Sequence, residues 1–491
     1  MLEDLKNTIK HSAVYGLSRV ASKALSFVFI PLYTSVYTAE SFANINLLET
    51  FWQYLFTICL FGFETTIITH CSTETEDGKK KLLYNFFIIL LFNCAVFLML
   101  GLTLKQNFSN LILNDSAHSN VIIYCFLICI FESLITIPLS IARLKNKPGL
   151  YTLIALSSLF INFFLQIYFV FFKRYDFDFV FIAKFLGPLI VFALSLPLIF
   201  ANIKANYDKD KIKDILNFSF FWTLYAILGM FLNTVDRYIL VEYVSKEQVG
   251  IYTLGYSVGS LTNSLIIIPY SLAYTGIFYR KVKEPDAGRY FTKISTYLFF
   301  SMILVSLCAS LFIPEAIKIF VRNPKLWDAV DTIRIVLFSN CIFAIFYGFI
   351  FSFLYKKESK IVTYYTAIAL VFNVAGNFIF IRYYGIYAAA VLSAVSYLLL
   401  IILLYRKSRN YYFIKLEVNK LILLGLLYIG LTYLSTLFKF NNLFLDLGLK
   451  LLLLFVFFVF LFLGKFFEDV ELLAIKGALN KYLKINLFKK N

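Results

Sequence analysis

The sequence predicts an all-α integral membrane protein of about 14 transmembrane helices. It is expected to form two six-helix lobes plus two C-terminal helices. Three observations lead there. The 491 residues are 60% hydrophobic and 19% aromatic, with a mean hydropathy of +0.78; a water-soluble domain must keep a polar surface and cannot hide so much apolar side chain. The apolar residues fall in continuous runs of about 20, the length a helix needs to cross a hydrocarbon layer about 30 Å thick, whereas barrel strands would alternate. Finally, features of the first half return in the second at an even number of spans.

In chain order, the first run is Ala13–Tyr33. The charged segment Met1 to Lys10 followed by a full-length span is not the pattern of a cleaved signal. Leu47–Ile67 follows the polar turn Thr38–Ala43, and Leu82–Leu104 follows Lys79-Lys80-Lys81. Asn120–Ile141 ends at the basic segment Arg143 to Lys147, Tyr151–Phe171 starts after it, and Phe179–Phe200 stops before Lys204 to Lys213. These six spans make a first lobe over 1–205. A second lobe over 206–408 holds Leu216–Leu240, Gly250–Leu272, Phe291–Ile313, Thr332–Tyr355, Ile361–Ile381 and Gly385–Tyr405. Leu421–Leu437 and Leu443–Leu463 fill 409–464. In the remaining 465–491, Phe466, Phe467, Val470, Leu473 and Ile475 recur near helical spacing among lysines. This fits a basic amphipathic helix on an anionic leaflet, or equally a solvated tail.

The formal net charge is +17. The basic residues collect in alternate loops (79–81, 143–147, 204–213, 280–293, 356–360 and 406–415), so the positive-inside rule explains the excess without nucleic acid and puts both termini in the cytoplasm. Most of the seven cysteines sit inside apolar runs, as small buried hydrophobes do. His11, His70 and His118 are far apart, and no metal spacing, nucleophile elbow or phosphate-binding glycine loop is present. An enzyme is not expected, nor a resident cofactor or metal.

The duplication is read from two echoes about 210 residues apart. Thr38–Ala43 returns as Ser245–Gly250. Lys145-Asn146-Lys147, with Asn162 and Gln166 in the next span, returns as Lys356-Lys357-Glu358 with Asn373 and Asn377. An offset of six spans preserves orientation, so the lobes are expected to be related by an axis along the membrane normal, with substrate between them.

Several segments together carry a family resemblance: Phe61-Gly62-Phe63, Arg143 with Lys147, Asp236-Arg237-Tyr238-Ile239-Leu240 and Gly250-Ile251-Tyr252. To these are added Phe312-Ile313-Pro314-Glu315, Asn373 with Asn377, and Tyr384-Gly385-Ile386-Tyr387 followed by Ser393 and Ser396-Tyr397. From about Ser12 to Asn410 the chain resembles the polysaccharide-transporter (O-antigen flippase) branch of the multidrug/oligosaccharidyl-lipid/polysaccharide (MOP) exporter superfamily. Ala43 departs from it, standing where the family usually has Gly. The resemblance implies a bacterial inner-membrane flippase that carries an undecaprenyl-pyrophosphate-linked oligosaccharide to the periplasmic leaflet, among membrane lipids and polysaccharide assembly proteins. Neighbouring alternatives are a lipid II-type flippase and a cation-coupled multidrug antiporter of the same superfamily.

Charges inside the spans supply site candidates. Arg19 and Lys23, at i and i+4, share one face of the first span. Each would cost about 2.5–3.5 kcal/mol at the centre of a lipid-facing helix, so both should face a wet cavity. Lys184 and Arg237 are candidates to line the same cavity and meet a pyrophosphate. Their structural alternatives are pairing with Glu49, Glu132 or Asp236, and for Lys184 snorkelling to the interface. Snorkelling is also expected of Arg334 and Lys450, and Glu49 and Glu64 are expected at the interface. Glu132 and Asp236 are candidates for coupling to Na⁺ or H⁺. Asn162, Asn373 and Asn377 are placed either on sugar hydroxyls or in hydrogen bonds between helices.

Overall fold

The computed structural model describes residues 29, 33, 36–37, 39–113, 118–321, 324–438 and 443–468. Every regular element among them is helical. Membrane depth demands this, because a backbone in hydrocarbon must satisfy its own polar groups. The first half holds α1 (Ala39–Leu60), α2 (Phe63–Cys71), α3 (Glu76–Leu113), α4 (Ser119–Leu144), α5 (Pro148–Gln166) and α6 (Asp178–Phe200). The second holds α7 (Lys209–Leu232), α8 (Val235–Tyr243), α9 (Lys246–Gly259), α10 (Ile268–Lys281), α11 (Ala287–Phe320), α12 (Ala329–Phe349), α13 (Phe351–Tyr355) and α14 (Ser359–Ser408). Last come α15 (Val418–Leu437) and α16 (Leu443–Leu463). Local chemistry sets several starts: Pro148 occupies the first turn of α5, and the Ser245 side chain accepts from the Gln248 N–H to open α9, as N-caps do.

Twelve helical stretches among the described residues are long and apolar enough to span a membrane, against the expected 14 or so. Of the difference, Ala13–Tyr33 lies almost wholly outside the described residues, as do Arg19, Lys23 and the tail from 469 on. The remainder comes from the runs Ile361–Ile381 and Gly385–Tyr405, which join in the 50-residue α14. That helix is not straight. Gly385 breaks it at φ 56, ψ −136, and the Asn373 amide donates to the Ser396 hydroxyl at 3.1 Å. An unbroken helix would set those residues about 34 Å apart. The chain therefore doubles back at Gly385, whose missing Cβ permits that backbone.

Two hydrophobic cores organise the molecule. One joins residues between Tyr33 and Ile215; the other runs from Phe218 to Phe466 and takes in Leu424 of α15 and Phe457 of α16. The last two helices are thus packed on the second lobe, and two buried lysines hold them there. Lys293 of α11 pairs with Glu417 at 3.1 Å and Glu468 at 2.6 Å. Lys450 of α16, 5% exposed, pairs with Glu315 and Asp446, each at 2.6 Å. The expectation that Lys450 snorkels is corrected: its ammonium is buried and held by two partly exposed acids rather than reaching out.

Between the lobes, Lys211 meets Glu74 at 3.2 Å, His70 Nε2 meets Asp214 at 3.2 Å, and the Ser219 hydroxyl donates to Thr66 Oγ1 at 3.0 Å. A small cluster of Ala142 and Tyr151 with Leu272 and Ala273 adds apolar contact. All of these lie in the half of the spans nearest the basic loops. Phe61 and Gly62 separate α1 from α2 at φ 49 and φ 66. A Cβ on Gly62 would stand 3.1 Å from Trp222, 3.2 Å from Thr223 Oγ1 and 3.3 Å from the Ser219 carbonyl. Glycine here serves both the left-handed turn and the close approach of the lobes.

Candidate functional site

A cavity of ≈ 560 Å³ lies in the first lobe, with Met230 of α7 on its wall. Its polar lining follows from helical spacing. Glu132, Thr136, Ser140 and Arg143 fall at steps of four, four and three along α4, one face of a helix. Trp52, Gln53 and Thr57 of α1 and Tyr151 and Ser158 of α5 complete it. Pro138 sits within the same stretch of α4; having no N–H, it leaves the Leu134 carbonyl without its helical donor.

Two side chains expected elsewhere join this wall. Arg143, read as a loop cation, turns inward with its side chain 9% exposed, and its Nη1 lies 3.4 Å from Glu64 Oε1. Glu64, expected at the interface, lines the cavity instead. The physical reason is the pairing: the span ends bring a partly exposed acid of α2 against a cation of α4 and lower the cost of burying that cation. The step of three from Ser140 to Arg143 was the signal in the sequence, since it continues the Glu132 face.

The structure does not bring the predicted cations together. Lys184 of α6 is ion-paired with Glu49, and its Nζ stands 5.5 Å from the Trp52 ring and 5.6 Å from Phe181. Arg237 belongs to the second lobe, where its guanidinium covers the Tyr256 ring at 4.6 Å. Neither side chain lines the cavity described above: Lys184 takes the pairing with Glu49 that was its structural alternative, and Arg237 an aromatic face. Arg334 also has local partners, Asp331 at 3.2 Å and the Ser310 carbonyl. Arg19 and Lys23 lie outside the described residues.

Of the two coupling candidates, Glu132 lines the cavity. Asp236 is fully buried in the second lobe, where it accepts from the Tyr252 hydroxyl and from the Arg237 N–H at 2.8 Å. The asparagines are used for packing. Asn373 and Asn377 have no exposed surface, and Asn377 donates to Asn373 Oδ1 at 2.8 Å. Asn162 accepts from Gln166, whose amide oxygen accepts from Tyr33. Bonds between and along helices are the usual work of amides in membrane interiors; Asn373 and Asn377, both buried, take that alternative rather than sugar contact, and half-buried Asn162 is bonded along its own helix. Among the described residues no cluster of three or more His, Cys, Asp or Glu side chains could hold a metal ion.

This two-lobed helical architecture is the fold of MOP superfamily transporters. Against a MATE transporter of Vibrio cholerae the TM-score is 0.68 at 12% identity, over 82% of this chain and 97% of that one. A multidrug resistance MATE family transporter of the MOP superfamily, solved in an outward-facing conformation, gives 0.66 at 14% identity, with 82% and 95% covered. A MOP superfamily transporter of Pyrococcus furiosus, described as having a binding pocket of reversed polarity, gives 0.63 at 14% identity, with 82% and 96% covered. An uncharacterized membrane protein of Haemophilus influenzae is 23% identical over 401 residues, 79% of this chain and 95% of its own. The family model for polysaccharide biosynthesis proteins matches residues 8–275. The chain belongs to that polysaccharide biosynthesis protein family, and its fold is that of the MOP superfamily transporters it matches.

Proposed function

We propose that the protein is a flippase for an undecaprenyl-pyrophosphate-linked oligosaccharide, an O-antigen, capsule or exopolysaccharide repeat unit. It moves this cargo from the cytoplasmic to the periplasmic leaflet of the bacterial inner membrane by alternating access. The observation that carries the reading is a cavity with Glu64, Glu132 and Arg143 on its wall, and Met230 of the second lobe at its edge, in a member of a polysaccharide biosynthesis family. With the basic loops inside, the ion pairs and the Ser219–Thr66 bond between the lobes lie on the cytoplasmic half of the spans, which corresponds to the stage that presents cargo outward. Rocking of the lobes would open the other side. Arg19 and Lys23 hold the diphosphate, Glu132 carries the coupling Na⁺ or H⁺, and the isoprenoid stays in lipid. A lipid II-type flippase would differ only in head group.

One observation favours a second reading. The described wall carries Glu64 and Glu132 against Arg143 alone, a balance that suits an organic cation, as in a multidrug antiporter. Arg19 and Lys23 would reverse that sign, so they decide between the two. In a flippase-null strain, Arg19→Ala plus Lys23→Ala should insert normally and abolish surface glycan. Full complementation by that double variant would remove Arg19 and Lys23 from cargo contact; efflux of organic cations without glycan export by the wild type would overturn the flippase.

A further inference from the structure

A second cavity, of ≈ 340 Å³, lies between the lobes at the end that carries the basic loops. Its first-lobe wall includes Lys79, Arg143 and Lys145, and its second-lobe wall includes Arg280. The one carboxylate on the wall is Glu76, which pairs with Lys79 at 2.6 Å. Among the described residues neither Lys145 nor Arg280 forms an ion pair, and both are exposed to the cavity mouth. Asn146, in the left-handed region at φ 51, turns the chain sharply between α4 and α5 and keeps Lys145 beside Arg143. Arg143 also lines the larger cavity, where Glu64 holds it. A single guanidinium thus faces two chambers, one next to the loops and one at membrane depth.

We propose that this inter-lobe chamber is an entry port for a diphosphate, in which Lys145 and Arg280 capture the anion and Arg143 passes it to the deeper cavity. The inference rests on the flippase reading and adds a site to it. Two uncommitted cations, one on each lobe, can clamp an anion that carries several negative oxygens, and Arg143 adds a planar fork that suits phosphate. As the lobes part on this side, Arg280 moves away from Lys145. The anion is then left with the first-lobe cations, and Arg143 exchanges Glu64 for it.

The test titrates inorganic pyrophosphate into the purified full-length protein by calorimetry. Lys145→Ala plus Arg280→Ala should weaken binding at least about tenfold, with the melting temperature unchanged because both side chains are exposed. Lys356→Ala plus Lys360→Ala removes the same charge from other basic-loop positions and should shift the dissociation constant less than about twofold. Equal weakening by the two pairs, or none by the first, overturns the port. In nanodiscs, undecaprenyl pyrophosphate should follow the same pattern; binding confined to soluble nucleoside diphosphates would also overturn it. A wild type that binds pyrophosphate in this way yet fails to move lipid-linked glycan would sink the flippase reading and leave the port standing.

Discussion

Arg143 illustrates why single residues in this chain resist being read from sequence. Standing two residues beyond the run Asn120–Ile141, it has the look of a loop cation, yet only 9% of its side chain is exposed. What holds it there is Glu64, 79 residues earlier; the step of three from Ser140 marks the helix face, but a pairing at that separation does not name the partner. For Lys184 the partner found, Glu49, is among the acids the sequence offers as structural alternatives. Glu132 was legible, since a carboxylate amid an apolar run must face polar surroundings. Two outcomes belong at this scale. Arg143→Ala leaves Glu64 without its cation and should lower stability by on the order of 1 kcal/mol, and adding Glu64→Gln should recover part of that loss in a thermal melt. Glu132→Gln should slow gradient-driven transport about tenfold or more while leaving downhill exchange measurable, if that carboxylate couples the ion; transport that keeps its full response to the gradient would remove Glu132 from the coupling role.

At the scale of elements, the positions of the helices were the most legible part. A run of about 20 apolar residues has one physical solution in a bilayer, and each described span contains the run expected for it. What the sequence hid was how elements are tied, because ion pairs join residues far apart in the chain. The two lysine clamps on α11 are the clearest case. Residues 293 and 315 are about 33 Å apart along a helix, close to the hydrocarbon thickness, so α16 is fastened near both ends of one span and α15 at its start. Lys450→Ala strands Glu315 and Asp446 and should cost about 3–5 kcal/mol, seen as faster hydrogen exchange across α16 than across α12. At the other clamp, burial by itself would raise the Glu417 carboxyl, but hydrogen bonds from Thr296, Lys420 and Lys293 outweigh it and hold it below the usual carboxylate range. A folded-state value below the unfolded one means the clamp stabilises at neutral pH and is lost as acid protonates Glu417. Unfolding of α15 should therefore ease below about pH 4, and Glu417→Gln should weaken the neutral-pH attachment and flatten that dependence.

Over the whole molecule, two cores and a set of bridges in one half of the spans define a body that can hinge. The duplication pointed to two units, because repeated turns at matching offsets imply repeated packing. The side on which they touch was not legible, since either half of the spans offers similar apolar surface. Thr66 and Ser219, hydroxyl to hydroxyl at 3.0 Å, offer a direct check. Thr66→Cys with Ser219→Cys should cross-link under mild oxidation, stop transport, and regain it on reduction; undiminished transport in the cross-linked protein would mean that the lobes need not part there. Gly62 carries the consequence furthest. It works like the bare edge of a door that shuts flush on its frame, and any methyl added there becomes a wedge. A Gly62→Ala protein should rest ajar on that side, leaking small solutes through a passage the native chain keeps sealed between strokes.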